Sequence, residues 1–262
     1  MKHILTSLFL IGLLGGVSQL TFGQQMTAKQ IMEKADQQLQ ANDETVAVDF
    51  TLVNKRGKET RRKFELFSKQ MSPTEERRFL RFLEPGDIKG TLLLTYDYSN
   101  KEDDIWLFLP ALGKSRRISA GNKTDSFVGS DFTYEDIENV DLINTDFKLL
   151  RNETYEGEPC YVIEGMPANE NEKKESGYSK RTFWITEKNF LPRKTEHFNK
   201  KGQLAKVLKM DDARQISGTE KYRLFRWEMA DQLNGSKTIF AYTQLTLNTG
   251  VPDETFSQKN LK

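Results

Sequence analysis

Cysteine occurs once, at position 160, and histidine only at positions 3 and 197. A single cysteine closes no internal disulfide, so the fold must rest on its packed core. A Ser-His-Asp triad, or a zinc site built on several His and Cys ligands, would depend on His197, because His3 falls in the leader described below. His197 lies in PRKTEHFNKKGQ, on the way to a lysine-rich turn, and reads as a solvent-facing strand residue. Phosphate-binding and nucleophile motifs are missing as well. Acidic residues are plentiful, yet no spacing singles out a pair, so no catalytic residue is assigned and the expectation is a protein that is not an enzyme. Net charge is missing too: 39 Lys and Arg stand against 38 Asp and Glu. That balance gives a polyanion no footing, so nucleic acid is not an expected partner.

An uninterrupted apolar span is also lacking, and a membrane anchor needs roughly 20 such residues. The chain opens MKHILTSLFLIGLLGGVSQLTFG. Lys2 and His3 give a positive start, Ile4 to Val17 an apolar stretch broken by Thr6, Ser7 and glycines, and Thr21-Phe22-Gly23 a small-residue exit. That is the order of a secretory signal peptide, residues 1–23. No cysteine near the exit invites lipid attachment. The expected mature chain, residues 24–262, is a soluble single domain outside the cytoplasm.

What is present is one clear helix and many strands. TAKQIMEKADQQLQAND can be capped by Thr27 with Gln30 three positions on, and Ile31, Met32, Ala35 and Leu39 recur at helical spacing. After Asp43 the period becomes two: Val46, Val48, Phe50 and Leu52 share a face, Asn54 to Gly57 supplies a turn, and Phe64 and Leu66 resume the pattern. KGTLLLTYDYSN and DDIWLFLP are more continuously apolar, which predicts burial on both faces. The second half repeats this manner, with Asn234-Gly235 as a strong hairpin signal. ANENEKKESG, residues 168–177, reads as a charged, solvated, mobile loop. The sum is one helix, about ten to twelve strands by turn spacing, and a central insertion with a short helical segment at TYEDIENVD. A meander this long must curl or close, and its concave face must be filled by its own elements, by ligand, or by both.

The string WLFLPALGKSRRI…GSDFTYEDI, set between strands and followed by the ending VPDETFSQKNLK, resembles the outer membrane lipoprotein-sorting proteins, in particular the LolA-like periplasmic branch. The resemblance covers essentially the whole mature chain. It implies a mainly β (α+β) fold: a curled antiparallel sheet forming an incomplete β-barrel, with the N-terminal helix and a central lid, residues 119–137, over its open side. It also implies a periplasmic, non-enzymatic carrier that takes lipid or lipoprotein acyl chains into an apolar hollow for transfer between membranes. The founding lipoprotein chaperones are shorter and lack the Arg-Arg-Ile to Tyr-x-Asp string, and many relatives that carry it accompany exporters of hydrophobic cargo. The second reading is therefore a periplasmic accessory protein docking on a membrane transporter.

The residues expected to line hollow and lid are Phe50, Leu92, Leu94, Trp106, Phe108, Phe127, Phe132, Tyr134, Phe225 and Trp227. Phe225, Trp227 and Met229 share a strand face, though which face is concave is not readable. Arg116 and Arg117 are expected at a headgroup or partner protein; they equally suit an exposed strand end paired with Asp131 or Asp136. Phe127 equally suits a plug for a small core. The acidic string around Asp136 does not match an EF-hand loop. A monomer without metal or cofactor is expected.

Overall fold

The computed structural model describes residues 25–99, 101–118 and 122–262. The expected leader, residues 1–23, and the first positions of the expected lid, 119–121, lie outside the described residues. Helix α1 (Ala28–Leu39) begins where the capping pair places it: Thr27 Oγ1 accepts from the Gln30 amide at 3.2 Å, and Gln30 Oε1 accepts from the Thr27 amide at 2.9 Å. Among the described residues no helix is long and apolar enough to cross a membrane.

The first six strands are β1 (Asp43–Val53), β2 (Glu59–Ser72), β3 (Glu75–Glu84), β4 (Leu92–Tyr98), β5 (Asp104–Leu109) and β6 (Lys114–Ile118). The central insertion follows. Then come β7 (Thr145–Tyr155), β8 (Glu158–Pro167), β9 (Tyr178–Thr186) and β10 (Pro192–Asn199). The chain finishes with β11 (Leu204–Gln215), β12 (Tyr222–Asp231), β13 (Lys237–Leu247) and two 3-10 turns. All neighbours pair antiparallel in one curled, unclosed sheet, ordered β6-β5-β4-β3-β2-β1-β13-β12-β11-β10-β9-β8-β7. Two meanders are thus sewn together along β1 and β13, with Phe50 opposite Phe240 and Val46 opposite Leu245. The edges are β6 and β7, and the insertion is the chain that passes from one to the other.

Strand alternation decides the layers. On the concave face Val46, Val48 and Phe50 are fully or nearly buried, joined by Phe64, Leu80, Phe82, Leu93, Ile105, Leu107, Leu208, Met210 and Met229. Farther along that face α1 lays Ala28, Ile31, Met32 and Ala35 on Ile163, Phe183 and Ile185. The opposite face of β3–β5 is covered by the C-terminal tail, where Val251 and Phe256 pack with Phe79, Leu92, Leu94 and Phe108. Tyr96 donates its hydroxyl to the Phe256 carbonyl at 2.8 Å, and Lys69 reaches the Val251 carbonyl at 2.7 Å. This double cover explains why β4 reads as a continuous apolar run. Residues 168–177 depart from the mobile-loop expectation: they hold a short helix, α2 (Glu170–Glu175), capped by Asn169 on the Glu172 amide at 3.0 Å. The helical segment expected at TYEDIENVD shrinks to a 3-10 turn, Glu135–Ile137.

Candidate functional site

The insertion folds as a hairpin with its own backbone ladder. The Glu135 amide donates to Lys123 O at 2.9 Å, Tyr134 to Asp125 O at 3.2 Å, and Phe127 to Phe132 O at 2.8 Å. The tip, Phe127 to Ser130, closes with Ser130 N on Phe127 O at 2.9 Å, and both central residues are left-handed: Val128 at φ 49° and Gly129 at φ 75°. Two positive φ angles in succession define a type I′ turn, which glycine permits at its second position. This turn swings Phe127 and Phe132 into the barrel instead of along its rim.

Both rings are fully buried. Phe127 lies 6.2 Å from Phe50 and 6.3 Å from Phe82 between ring centres, and Phe132 stacks on Phe240 at 4.4 Å with planes 8° apart. Phe50, Phe64, Phe82 and Phe240 meet one another edge-on behind them. Tyr134 completes the cluster at 5.9 Å from Phe127. Each buried ring contributes roughly 2–3 kcal/mol of apolar burial. The concave face is therefore filled by the protein's own elements where the resemblance implied an apolar hollow: rings two strands apart, Phe50 with Phe82 and Phe64 with Phe240, already meet, and the hairpin adds Phe127, Phe132 and Tyr134 over them. An open recess of about 470 Å³ between the β1–β2 and β12–β13 turns is lined by Asn54, Lys55, Asp231 and Lys237 among others, with no aromatic ring.

Polar contacts hold the hairpin in place. Asp136, whose side chain is 1% exposed, accepts from the Tyr178 hydroxyl at 2.9 Å and from Lys206 Nζ at 2.9 Å, with His197 Nε2 at 3.7 Å. Glu135 accepts from Arg181 at 2.6 Å, from the Gly177 amide at 2.8 Å and from the Ser176 hydroxyl. Asp131 accepts from Thr238 Oγ1 at 2.6 Å. Arg62 donates to Val128 O at 2.6 Å, and Arg78 to Ile137 O at 2.8 Å. Burial alone would raise Asp136, but the surrounding basic groups reverse this and bring it down to about 2. Burial drives His197 down to about 3 despite Asp136. The imidazole is therefore uncharged at neutral pH, and Lys206 with Arg181 keeps the Asp136 carboxylate ionised. Tyr178, buried against that carboxylate, is pushed far above the phenol range.

The residues named from sequence separate into groups. Phe50, Phe127, Phe132 and Tyr134 come together on the concave face, with Trp227 packed at the margin. Phe225 meets Tyr242 at the edge of this cluster, 6.0 Å between ring centres, and lies under the Arg214 guanidinium. Leu92, Leu94, Trp106 and Phe108 are a correction: they lie on the opposite face beneath the tail, because their alternate neighbours Leu93, Ile105 and Leu107 point inward. Arg116 is exposed, and Arg117 pairs with Asp104; neither engages Asp131 or Asp136, which are held elsewhere. His197 is also a correction: it is 4% exposed, since β10 turns Thr195 and His197 to the same buried side. Sequence reading missed Phe64, Phe82 and Phe240 as walls of the cluster, and Tyr178, Arg181 and Lys206 as its polar margin. The alternation resumed after the first turn was the signal for Phe64, whereas Phe82 and Phe240 join it through strand pairing that local spacing does not reveal. The second group is brought together only by strand residues 42 to 70 positions away from Asp136.

A family model described as that of an uncharacterized protein matches residues 74–262. Among solved structures, the chain is similar to an outer membrane lipoprotein-sorting protein domain from Vibrio parahaemolyticus, with 27% identity, TM-score 0.83, and coverage of 89% of this chain and 97% of that one. It is similar to a DUF1329 family protein from Desulfovibrio piger, with 28% identity, TM-score 0.84, and coverage of 90% and 98%. A LolA superfamily protein from Nitrosomonas europaea shares the fold at 24% identity and TM-score 0.70, over 90% and 99% of the two chains. No curated protein matches the chain.

Proposed function

The chain belongs to the DUF1329-like family, solved structures similar to it include an outer membrane lipoprotein-sorting protein domain, and from that premise we propose that it is a periplasmic, non-enzymatic carrier of lipid or lipoprotein acyl chains. The binding hollow is the concave aromatic face of β1–β3 and β13, and the insertion hairpin is its removable occupant. One observation carries this reading: the rings filling the hollow belong to a segment whose backbone-to-backbone hydrogen bonds are internal, so that its backbone meets the sheet only through side chains, Arg62 on the Val128 carbonyl, Arg78 on the Ile137 carbonyl and Thr238 under the Asp131 amide. Such a segment can withdraw without orphaning a ladder of amides in an apolar interior, which no barrel strand could do.

Magnitudes make the exchange feasible. Burying a sixteen-carbon chain gains on the order of 12 kcal/mol at about 0.8 kcal/mol per methylene. Withdrawing three aromatic side chains forfeits roughly 6–9 kcal/mol by the same measure, and the ordering of the lipid and the released polar contacts consume much of the difference. The two occupants are thus near balance, as a carrier that loads and unloads requires.

The test uses an uncharged probe. Delipidated mature chain is titrated with N-phenyl-1-naphthylamine, beside a variant carrying Phe127→Ala and Phe132→Ala, with near-UV circular dichroism as the fold control. The expected result is saturable binding by the wild type and binding about tenfold tighter by the variant. A folded variant that takes up no probe at all would overturn the carrier reading.

A further inference from the structure

Glu135 and Asp136 follow Phe132 and Tyr134 directly, so one short segment presents apolar rings to the hollow and two carboxylates to its margin. The wall groups that receive those carboxylates are arranged as a row. Arg181 on β9 lies directly opposite His197 on β10, and His197 directly opposite Lys206 on β11. Lys206 shares its strand face with Leu208 and Met210 of the aromatic cluster, and Arg181 shares its face with Phe183 under α1. The row therefore crosses the concave surface between its two apolar areas. Arg181 and Lys206 flank the Tyr178 ring at 4.8 and 5.7 Å, and the Tyr178 hydroxyl and Gly177 amide add two neutral donors. The side chains of Arg181 and Lys206 are only 21% and 14% exposed.

We propose that the hairpin imitates an amphipathic anion, and that the cargo is a lipid with an anionic headgroup, carboxylate or phosphate, received by Arg181, Lys206, Tyr178 and the Gly177 amide. The inference rests on the carrier reading and deepens it. Its physical basis is the state left behind when the hairpin lifts. The two cations stay on the wall while both of their carboxylates depart, and cations covered again by an incoming chain without counter-charges are strongly unfavourable. An uncharged acyl chain fills the hollow but leaves them unpaired. An anionic headgroup restores the charge balance and the charge-assisted hydrogen bonds. The row thus separates anionic lipids from chains attached to a neutral group.

The experiment compares cis-parinaric acid with its methyl ester, two probes that share one hydrocarbon chain. Each is titrated into the delipidated mature chain and into a variant carrying Arg181→Met and Lys206→Met. A second variant adds Glu135→Gln and Asp136→Asn, so that no buried charge is left unpaired and the fold is preserved. The wild type is expected to prefer the acid about tenfold, with the preference falling to near unity in both variants. Equal affinity of the wild type for acid and ester, or an unchanged preference in the folded four-fold variant, overturns the headgroup assignment while leaving the carrier reading standing. Failure of both probes to bind any of the proteins counts against the carrier reading itself. Displacement of the bound acid by lysophosphatidic acid but not by inorganic phosphate is expected. Equal displacement by the two would place the anion site apart from the hollow and overturn the proposal.

Discussion

Glu138, at the end of the hairpin, is a carboxyl in an unfavourable place. Its side chain is 10% exposed, Lys123 Nζ lies 3.1 Å away, and Oε1 has no hydrogen-bond partner. Burial raises its pKa to about 7, Lys123 opposes that, and Asp103 and Asp97 reinforce it; Arg78 faces the group from β3. A folded pKa above the unfolded value, about 4.3, means a contribution fully present below pH 4 and lost as pH rises through 7. Glu138→Gln keeps the shape without the charge. It is expected to be more stable than the wild type at pH 8 by on the order of 2–3 kcal/mol, with the gap closing by pH 4. Urea denaturation at the two pH values measures it, and a variant less stable at pH 8 would mean that the Lys123 ion pair outweighs the burial. Asp136 has the opposite sign: its depressed pKa stabilises the fold above the ordinary aspartate range and is lost as pH falls toward 2. Neither behaviour was legible in the sequence. Glu138 and Asp136 sit two positions apart in one acidic string, and only their distant neighbours set them apart. His197 was misread for a related reason, since a lysine-rich turn nearby says nothing about which side of β10 is covered.

At the scale of elements, local patterns were readable and coverings were not. Thr27 and Gln30 announced α1, and Val46, Val48 and Phe50 announced the inner face of β1. The apolar run of β4 correctly signalled burial on both sides, yet nothing within it says that Leu93 meets the hairpin while Leu92 and Leu94 meet a tail some 160 residues later. The tail is structural. Phe256 is fully buried against Phe79, Leu94 and Phe108, and Asp43 fixes the approach by accepting from the Thr249 and Gly250 amides at 2.8 and 3.0 Å. Phe256→Ala is expected to cost about 3–5 kcal/mol without changing the uptake of an apolar probe by the concave face. Chemical denaturation and probe titration on the same preparation separate these effects. A loss of probe binding in the folded variant would place the ligand under the tail.

For the whole molecule, the curled sheet was foreseen from strand number and the avoidance of wide flat sheets, and from the resemblance of the Arg-Arg-Ile to Tyr-x-Asp string. The order of the strands was not. The seam between β1 and β13 joins residues nearly 200 positions apart, and it brings Phe50 and Phe240 to a ring distance of 4.8 Å. Each meander alone would expose an unpaired strand and half of this aromatic wall. Fragments covering residues 43–118 and 145–247 are therefore expected to show no fixed tertiary signal by near-UV circular dichroism when made separately. A folded spectrum from either one would show that the seam is not needed for its half.

The hairpin is joined by chain to both free edges of the sheet, β6 on one side and β7 on the other. A segment leashed at both ends cannot diffuse away once dislodged; short tethers of this kind hold a group at an effective concentration in the millimolar range. Under the proposed carrier function, every guest would compete with a rival that dilution never removes. That would set a ceiling on how tightly cargo is held, and would let unloading proceed by the hairpin's own return, with no external fuel.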